Sequence, residues 1–290
     1  MRIFLPFSLV SINFAAEFMS MRMKKHLILL LSVLLFCACG GKKEGDGVDS
    51  SDLHWDVVER NTTLQLTSAA NSPKAELHLI IYYIKDKGFE GVNDSLLLDG
   101  VLTPDYLWQN DSAANAAKAA DTYIRLFAED YQRDYGAMYR SDMSHASSYN
   151  VQFTCKTSVR QSRDHIVNYL AETFYFGGGQ HGVEQLRVKN IDTQKRHILQ
   201  LADLFVPGFE DRLADLVVEQ LCHDRNVKNL EELQGKGFFV GMEPYATDNF
   251  MVGRNNITFI YGDSEIAPHE EGIIQVELKN SSLKGILKKQ

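Results

Sequence analysis

The sequence has 290 residues, of which 44% are hydrophobic, 23% charged and 10% aromatic. That mix excludes a disordered, collagen-like or disulfide-dense chain, and a net charge of −8 argues against a nucleic-acid footprint. The length allows one large or two ordinary domains with a sizeable core.

The N-terminus reads as an address rather than as fold. Arg22, Lys24 and Lys25 precede a continuous apolar run over residues 27–36, too short for a bilayer span of about 20 residues. The run ends in Cys37-Ala38-Cys39-Gly40-Gly41, and Leu35-Phe36-Cys37-Ala38 before Cys39 resembles a bacterial lipobox. The expectation is a signal peptide over residues 1–38, with Met21 or Met23 as the true start. Cys39 is the expected lipid acceptor and Cys37 the alternative, followed by a lipidated linker over 39–51. This places the protein in the cell envelope, held by its lipid on the periplasmic or the outer-membrane face. Residues 1–38 carry four basic residues and one acidic one, so the remaining chain has 26 basic against 37 acidic residues and a net charge of −11.

Residues 56–66 and 74–84 are rich in Val, Leu, Ile, Thr and Tyr and are separated by a polar turn, which predicts two strands. The second becomes apolar on both faces and so belongs inside a sheet. Ala116, Ala120, Tyr123, Ile124, Phe127, Tyr131, Tyr135 and Met138 recur at spacings of three and four. They predict a helix over 112–139, capped by Asp111 or Ser112, with an aromatic stripe packed on a sheet. Strict alternation from Val151 to Val159 predicts a half-buried strand. Strands follow at 165–176 and 183–191, joined by a turn over 177–182 that holds four glycines. A helix over 209–221 and strands around 257–261 and 274–278 complete the series. The order β-β-α-β-β-β-α-β-β predicts an α+β fold of antiparallel sheets, with a packed helix in each of two closely associated halves. Those halves are residues 52–178 and 179–290, with the Gly-rich hairpin across their border.

Cys155 and Cys222 remain in the exported part, where an oxidising compartment permits a disulfide without requiring one. Cys155 lies on the apolar side of its strand, whereas Cys222 falls opposite the apolar stripe of its helix by the 100° rule. Two separate thiols and a bridge both stay open.

Phe176-Gly177-Gly178 and His181-Gly182 are followed by Asn190 and Asp192, then by Leu201, Asp203, Leu204 and Phe205. Near the end stand Phe259 and Tyr261, then Ile266-Ala267-Pro268 and Gly272. This succession resembles the extracytoplasmic domain of RsiV-type anti-sigma factors, a module also found beside peptidoglycan deacetylase domains and in stand-alone bacterial lipoproteins. Gly179 and Gln180 before His181, Gln194 in place of a turn glycine, and Ser264 in place of a tyrosine depart from that pattern. The resemblance implies an exported α+β unit that binds an extracellular partner, a lysozyme-like protein above all. It implies neither signalling through a sigma factor nor deacetylation, since the expected chain is the binding module alone.

The residues themselves carry no convincing catalytic set, metal site or cofactor site. The hairpin lacks the Lys-Ser/Thr of a phosphate loop and joins two strands. His181 and Glu184 form H-x-x-E rather than a zinc-protease motif, and nine histidines are scattered singly. No nucleophile elbow occurs, and Asp192 and Asp203 read as turn and helix-start residues. The candidates for ligand contact are Gly178, Gln180 and His181. Two functions compete: a binding module for a basic wall-active protein such as lysozyme or for a peptidoglycan fragment, and an envelope hydrolase using His181. An open aromatic-and-acid patch favours the first, and a closed cleft holding His181 on a carboxylate favours the second.

Overall fold

The computed structural model describes residues 53–102, 115–179 and 181–289. The expected signal segment, Cys39 and the expected linker, with Asp111, Ser112 and Gln180, lie outside the described residues. The fold is α+β, a six-stranded sheet and a three-stranded sheet with helices. No helix among the described residues is long and apolar enough to cross a membrane.

The large sheet runs in chain order: β1 (Trp55–Gln65), β2 (Lys74–Ile84), β3 (Val151–Gln161), β4 (Ile166–Phe176), β5 (Val183–Asp192) and the short β6 (His197–Ile198). All neighbours are antiparallel except β2 and β3, which pair in parallel with Ala75 opposite Val151 and Ile80 opposite Lys156. A parallel pair needs a long crossover. Here the crossover holds α1 (Glu90–Leu96), the wide turn Leu97–Val101 and α2 (Ala116–Ser141). That one pairing departs from the expected all-antiparallel arrangement.

Helix α2 starts at Asn115, whose side chain accepts from the N–H groups of Ala117 and Lys118. The cap is therefore this asparagine rather than Asp111 or Ser112. Ala116, Ala119, Ala120, Tyr123 and Tyr131 are buried against Leu77, Leu79, Ile81, Val151, Phe153 and Cys155, which forms the first core. The expected stripe fades in the last turn, where Met138 is 47% exposed.

Strand β4 is buried continuously from Ile166 to Ala171, because its two faces serve different neighbours. Tyr169 and Ala171 belong to the first core, Ile166 to a second one and Leu170 to a small third cluster with Val188 and Ile260. The second core contains α3 (Leu201–Leu204), α4 (Glu210–Asp224), α5 (Leu230–Gly235) and the small sheet β7 (Phe250–Val252), β8 (Asn256–Tyr261) and β9 (Ile274–Lys279). Glu210 and Asp211 stand in the first turn of α4, where carboxylates suit the helix dipole. The border expected at 178/179 cuts the hairpin between β4 and β5, and the large sheet continues past it to Ile198.

The two cysteines are free and buried in different cores, so no bridge joins them. The Cys155 thiol donates to the Val101 carbonyl at 3.2 Å, and burial pushes it up to about 12. Cys222 lies against the second core rather than away from it, since α5 packs on α4 with Leu233 fully buried.

Candidate functional site

The ground on which the site stands is a seam between the two sheets, where β5 and β7 run side by side without a shared ladder. Amide side chains replace the ladder. Asn190 Nδ2 donates to the Phe250 carbonyl at 2.8 Å, and its Oδ1 accepts from Val252 N–H at 2.8 Å and from Asn168 Nδ2 at 2.7 Å. Asn168 Nδ2 also reaches the Val252 carbonyl at 3.2 Å. One turn of chain earlier, Asn249 Oδ1 accepts from Val188 N–H at 2.8 Å, and its Nδ2 donates to the Leu186 and Ile260 carbonyls at 2.7 and 3.0 Å. Asn168 and Asn190 are buried, so each unmade bond here would cost about 1–3 kcal/mol.

Asp192 closes the inner end of β5. Its Oδ1 accepts from the N–H groups of Gln194 and Lys195 at 3.0 and 2.8 Å, and its Oδ2 lies 3.3 Å from His165 Nε2. Burial alone would raise this carboxyl. The Lys195 amide and the His165 and Lys195 charges outweigh it and hold the group below its ordinary value. Asp203 accepts from Gln200 N–H at 2.8 Å as half of a capping box. Phe205, Phe259 and Tyr261 are core residues. The acids and aromatics of the sequence motif therefore help build the scaffold.

The other end of β5 is the Gly-rich hairpin. Gly178 has φ +78, and a Cβ there would lie 1.8 Å from the Ser148 carbonyl oxygen. The hairpin thus leans backbone to backbone on the short 3₁₀ segment Met143–Tyr149, which explains glycine at that position. A Cβ on Gly182 would collide with the Phe174 ring at 2.2 Å. Gly178 is therefore a packing residue, and of the three sequence candidates only His181 offers an exposed side chain among the described residues.

His181 meets a residue 88 positions away that sequence reading did not connect to it. Its ring centroid lies 5.5 Å from that of His269. His269 Nδ1 is 2.7 Å from the Asp263 carboxylate, whose side chain is only 11% exposed. Nearby, Tyr245 OH donates to Glu265 Oε1 at 2.6 Å and Gly262 N–H to Glu265 Oε2 at 2.6 Å. Burial and the Glu265 carboxylate raise the Tyr245 phenol above its ordinary value. No group of three potential metal ligands occurs among the described residues. The closing Ile-Ala-Pro motif was the signal that could have led to His269, the next residue in the chain.

Where α2 meets the start of β3 and the end of β4 lies a hollow of about 120 Å³ walled by Phe127, Asp130, Tyr131, Asp134, Tyr135, Val151 and Tyr175. Tyr135 and Tyr149 meet edge to face at 6.2 Å, and Tyr131 OH donates to the Tyr149 carbonyl at 2.8 Å. Arg133 spans Asp130 and Asp134 at 2.5 and 2.8 Å. Tyr175 is 40% exposed, yet burial around its hydroxyl, with a hydrogen bond to Tyr135, pushes the phenol up to about 12. It stays a neutral donor at any ordinary pH.

Residues 202–281 match the family described as "Protein of unknown function (DUF3298)". That stretch carries Asp203 to Phe205, Phe259, Tyr261 and the Ile266-Ala267-Pro268 motif, and the Gly-rich hairpin precedes it. Among solved structures, the chain is similar to a DUF3298 family member from Bacteroides fragilis. The identity is 22% and the TM-score 0.72, covering 82% of this chain and 95% of that one. It is also similar to a DUF3298 family protein from Pseudomonas aeruginosa, at 16% identity and a TM-score of 0.53, covering 81% of this chain and 94% of that one. At these identities the likeness speaks for the fold alone. No curated protein matches.

Proposed function

We propose that this chain is a lipid-anchored cell-envelope protein that binds a basic, wall-active protein of the lysozyme kind at the hairpin and its tyrosine hollow. The observation that carries this reading is the open hollow of tyrosines and carboxylates walled by Tyr175, at the end of β4 that leads into the hairpin, with Tyr175 neutral and half exposed. Aromatic rings with a polar tip are favoured at interfaces because one side chain supplies both apolar area and a hydrogen bond. The RsiV-type motif succession supports the same class of partner, and the charge of −11 beyond residue 38 suits a basic one through steering.

The hydrolase reading needs His181 held on a carboxylate in a closed cleft. His181 is exposed, its close neighbour is a second imidazole, and the carboxylate belongs to His269. That geometry favours binding over catalysis.

Calorimetric titration of the detergent-solubilised chain with hen-type lysozyme, at low and physiological salt, tests the proposal. The expected result is micromolar binding that survives physiological salt and weakens about tenfold, or 1.4 kcal/mol, in Tyr175→Ala. Binding confined to low salt would reduce the effect to net charge. Binding of a peptidoglycan disaccharide-peptide in its place would move the reading to a wall fragment.

A further inference from the structure

A second binding surface lies on the far side of the hairpin and stands independently of the tyrosine hollow. Antiparallel pairing with β4 engages the odd-numbered residues of β5, so the backbone groups of the even-numbered ones point away from β4. The Asn249 contacts to Leu186 and Val188, and the Leu199 N–H to Asn190 carbonyl bond, confirm that direction. Toward the hairpin this edge is unfilled. The Glu184 N–H and carbonyl and the Leu186 N–H have no partner among the described residues. They open onto a groove of about 360 Å³ between β5 and residues 247–249 and 262–265.

An open sheet edge is a template for another strand. Nature commonly guards such edges with charge, and Glu184, Arg187 and Lys189 are charged. This edge differs from a merely guarded one because it faces a wall. The chain around Asp248 and Asp263 forms the second side of a slot rather than open solvent. The charge in the slot is uneven. Glu184, Asp248, Asp263 and Glu265 line it against Arg187 and Lys189. Because β7 and β8 run alongside β5 in a fixed register, Gly262 and Asp263 lie toward the Glu184 end, and the two basic residues lie toward β6.

We propose that the outer edge of β5 binds an extended, lysine- or arginine-bearing segment of a partner protein by strand addition. The Glu184 and Leu186 backbone groups supply the ladder, and the acidic end of the groove selects the basic side chains. At about 3.3 Å per residue, the free edge from Val183 to the Leu186 N–H accommodates about three residues of added strand before Asn249 occupies the Leu186 carbonyl.

The test uses the full chain in detergent and a fluorescent octapeptide alternating valine and lysine. Saturable binding by anisotropy is expected, with slowed hydrogen exchange confined to β5 and the 262–265 loop. The same peptide N-methylated at alternate amides, and a valine–glutamate octapeptide, should each bind at least about tenfold more weakly. Glu184→Pro removes one outward donor without touching the β4 ladder, a position where proline is tolerated. It should weaken the lysine peptide about tenfold while leaving the melting temperature unchanged. Asp248→Lys, on an exposed side chain outside both sheets, should weaken the lysine peptide and improve the glutamate one. The proposal fails if no peptide binds, if the N-methylated peptide binds equally well, or if both variants leave affinity unchanged. It also fails if Glu184→Pro abolishes a self-association of the chain that peptide cannot displace, which would make a second copy the occupant.

Discussion

The two ends of β5 differ in how they meet their surroundings. From Val188 to Asp192 the edge is held: Asn249 takes the Val188 N–H, Leu199 and Arg196 N–H groups take the Asn190 and Asp192 carbonyls, and the Asn168 and Asn190 side chains reach β7. From Val183 to Leu186 the strand has a ladder on one side and a slot on the other, in which only the Leu186 carbonyl is taken, by Asn249. The same strand is therefore a weld at one end and an accessible surface at the other. What separates them is the position of three asparagines, since backbone and sheet are continuous throughout. The lesson is that a seam between sheets can be built from side-chain amides, and that it stops where they stop.

Breaking the welded end should have the largest effect. Asn190→Ala leaves the Phe250 carbonyl, the Val252 N–H and Asn168 Nδ2 without their partner in a buried site. It should cost about 3 kcal/mol, read from urea unfolding. Asp192→Asn comes next, at about 2 kcal/mol near neutral pH, because a buried charged acceptor of two backbone N–H groups is neutralised. Its pH signature has a definite sign. The folded carboxyl titrates below its unfolded value, so its contribution is present above about pH 4 and fades as pH falls through the folded value. The wild-type chain should lose more stability than Asp192→Asn over that acid range.

At the open end the effects shrink. Gly178→Ala meets the Ser148 carbonyl at positive φ and should cost about 1–2 kcal/mol, seen as a lowered melting temperature. His181→Ala should change stability by less than about 0.5 kcal/mol, because the side chain is exposed and its close contact is another exposed ring. A large loss in His181→Ala would erase the contrast between the two ends.

Much of the frame was legible in the sequence because periodicity reports local burial. The α2 stripe, the alternation of β3 and the interior place of β2, apolar on both faces, all follow from it. The seam was not legible in the same way. Asn168 and Asn190 interrupt apolar strands as a solvent-facing residue would, and only the second core covering that face buries them. Cys222 misled the helical-wheel reading for a similar reason, since the wheel does not know that α5 will cover the second side of α4. β7 is three residues long, too short for any pattern. For the site, the glycines located the hairpin, but the pairing of His181 with His269 depends on two loops meeting across the seam, and spacing carries no trace of it. The parallel pairing of β2 with β3 was equally hidden, because an apolar strand reads alike whichever way its neighbour runs.

That parallel pair also shapes how the chain reaches its native state. β1 with β2, and β3 with β4 and β5, are joined by short turns and can close early. Lys74 N–H, by contrast, donates to Asn150 Oδ1, 76 positions further along. Loop-closure entropy for a connection of that length is met before the β2–β3 contacts form, and non-local pairing of this kind slows folding. The joining of two preformed hairpin units across α2 is thus the expected rate-limiting event, and substitutions at the Ala75–Val151 register should slow refolding more than those within either hairpin.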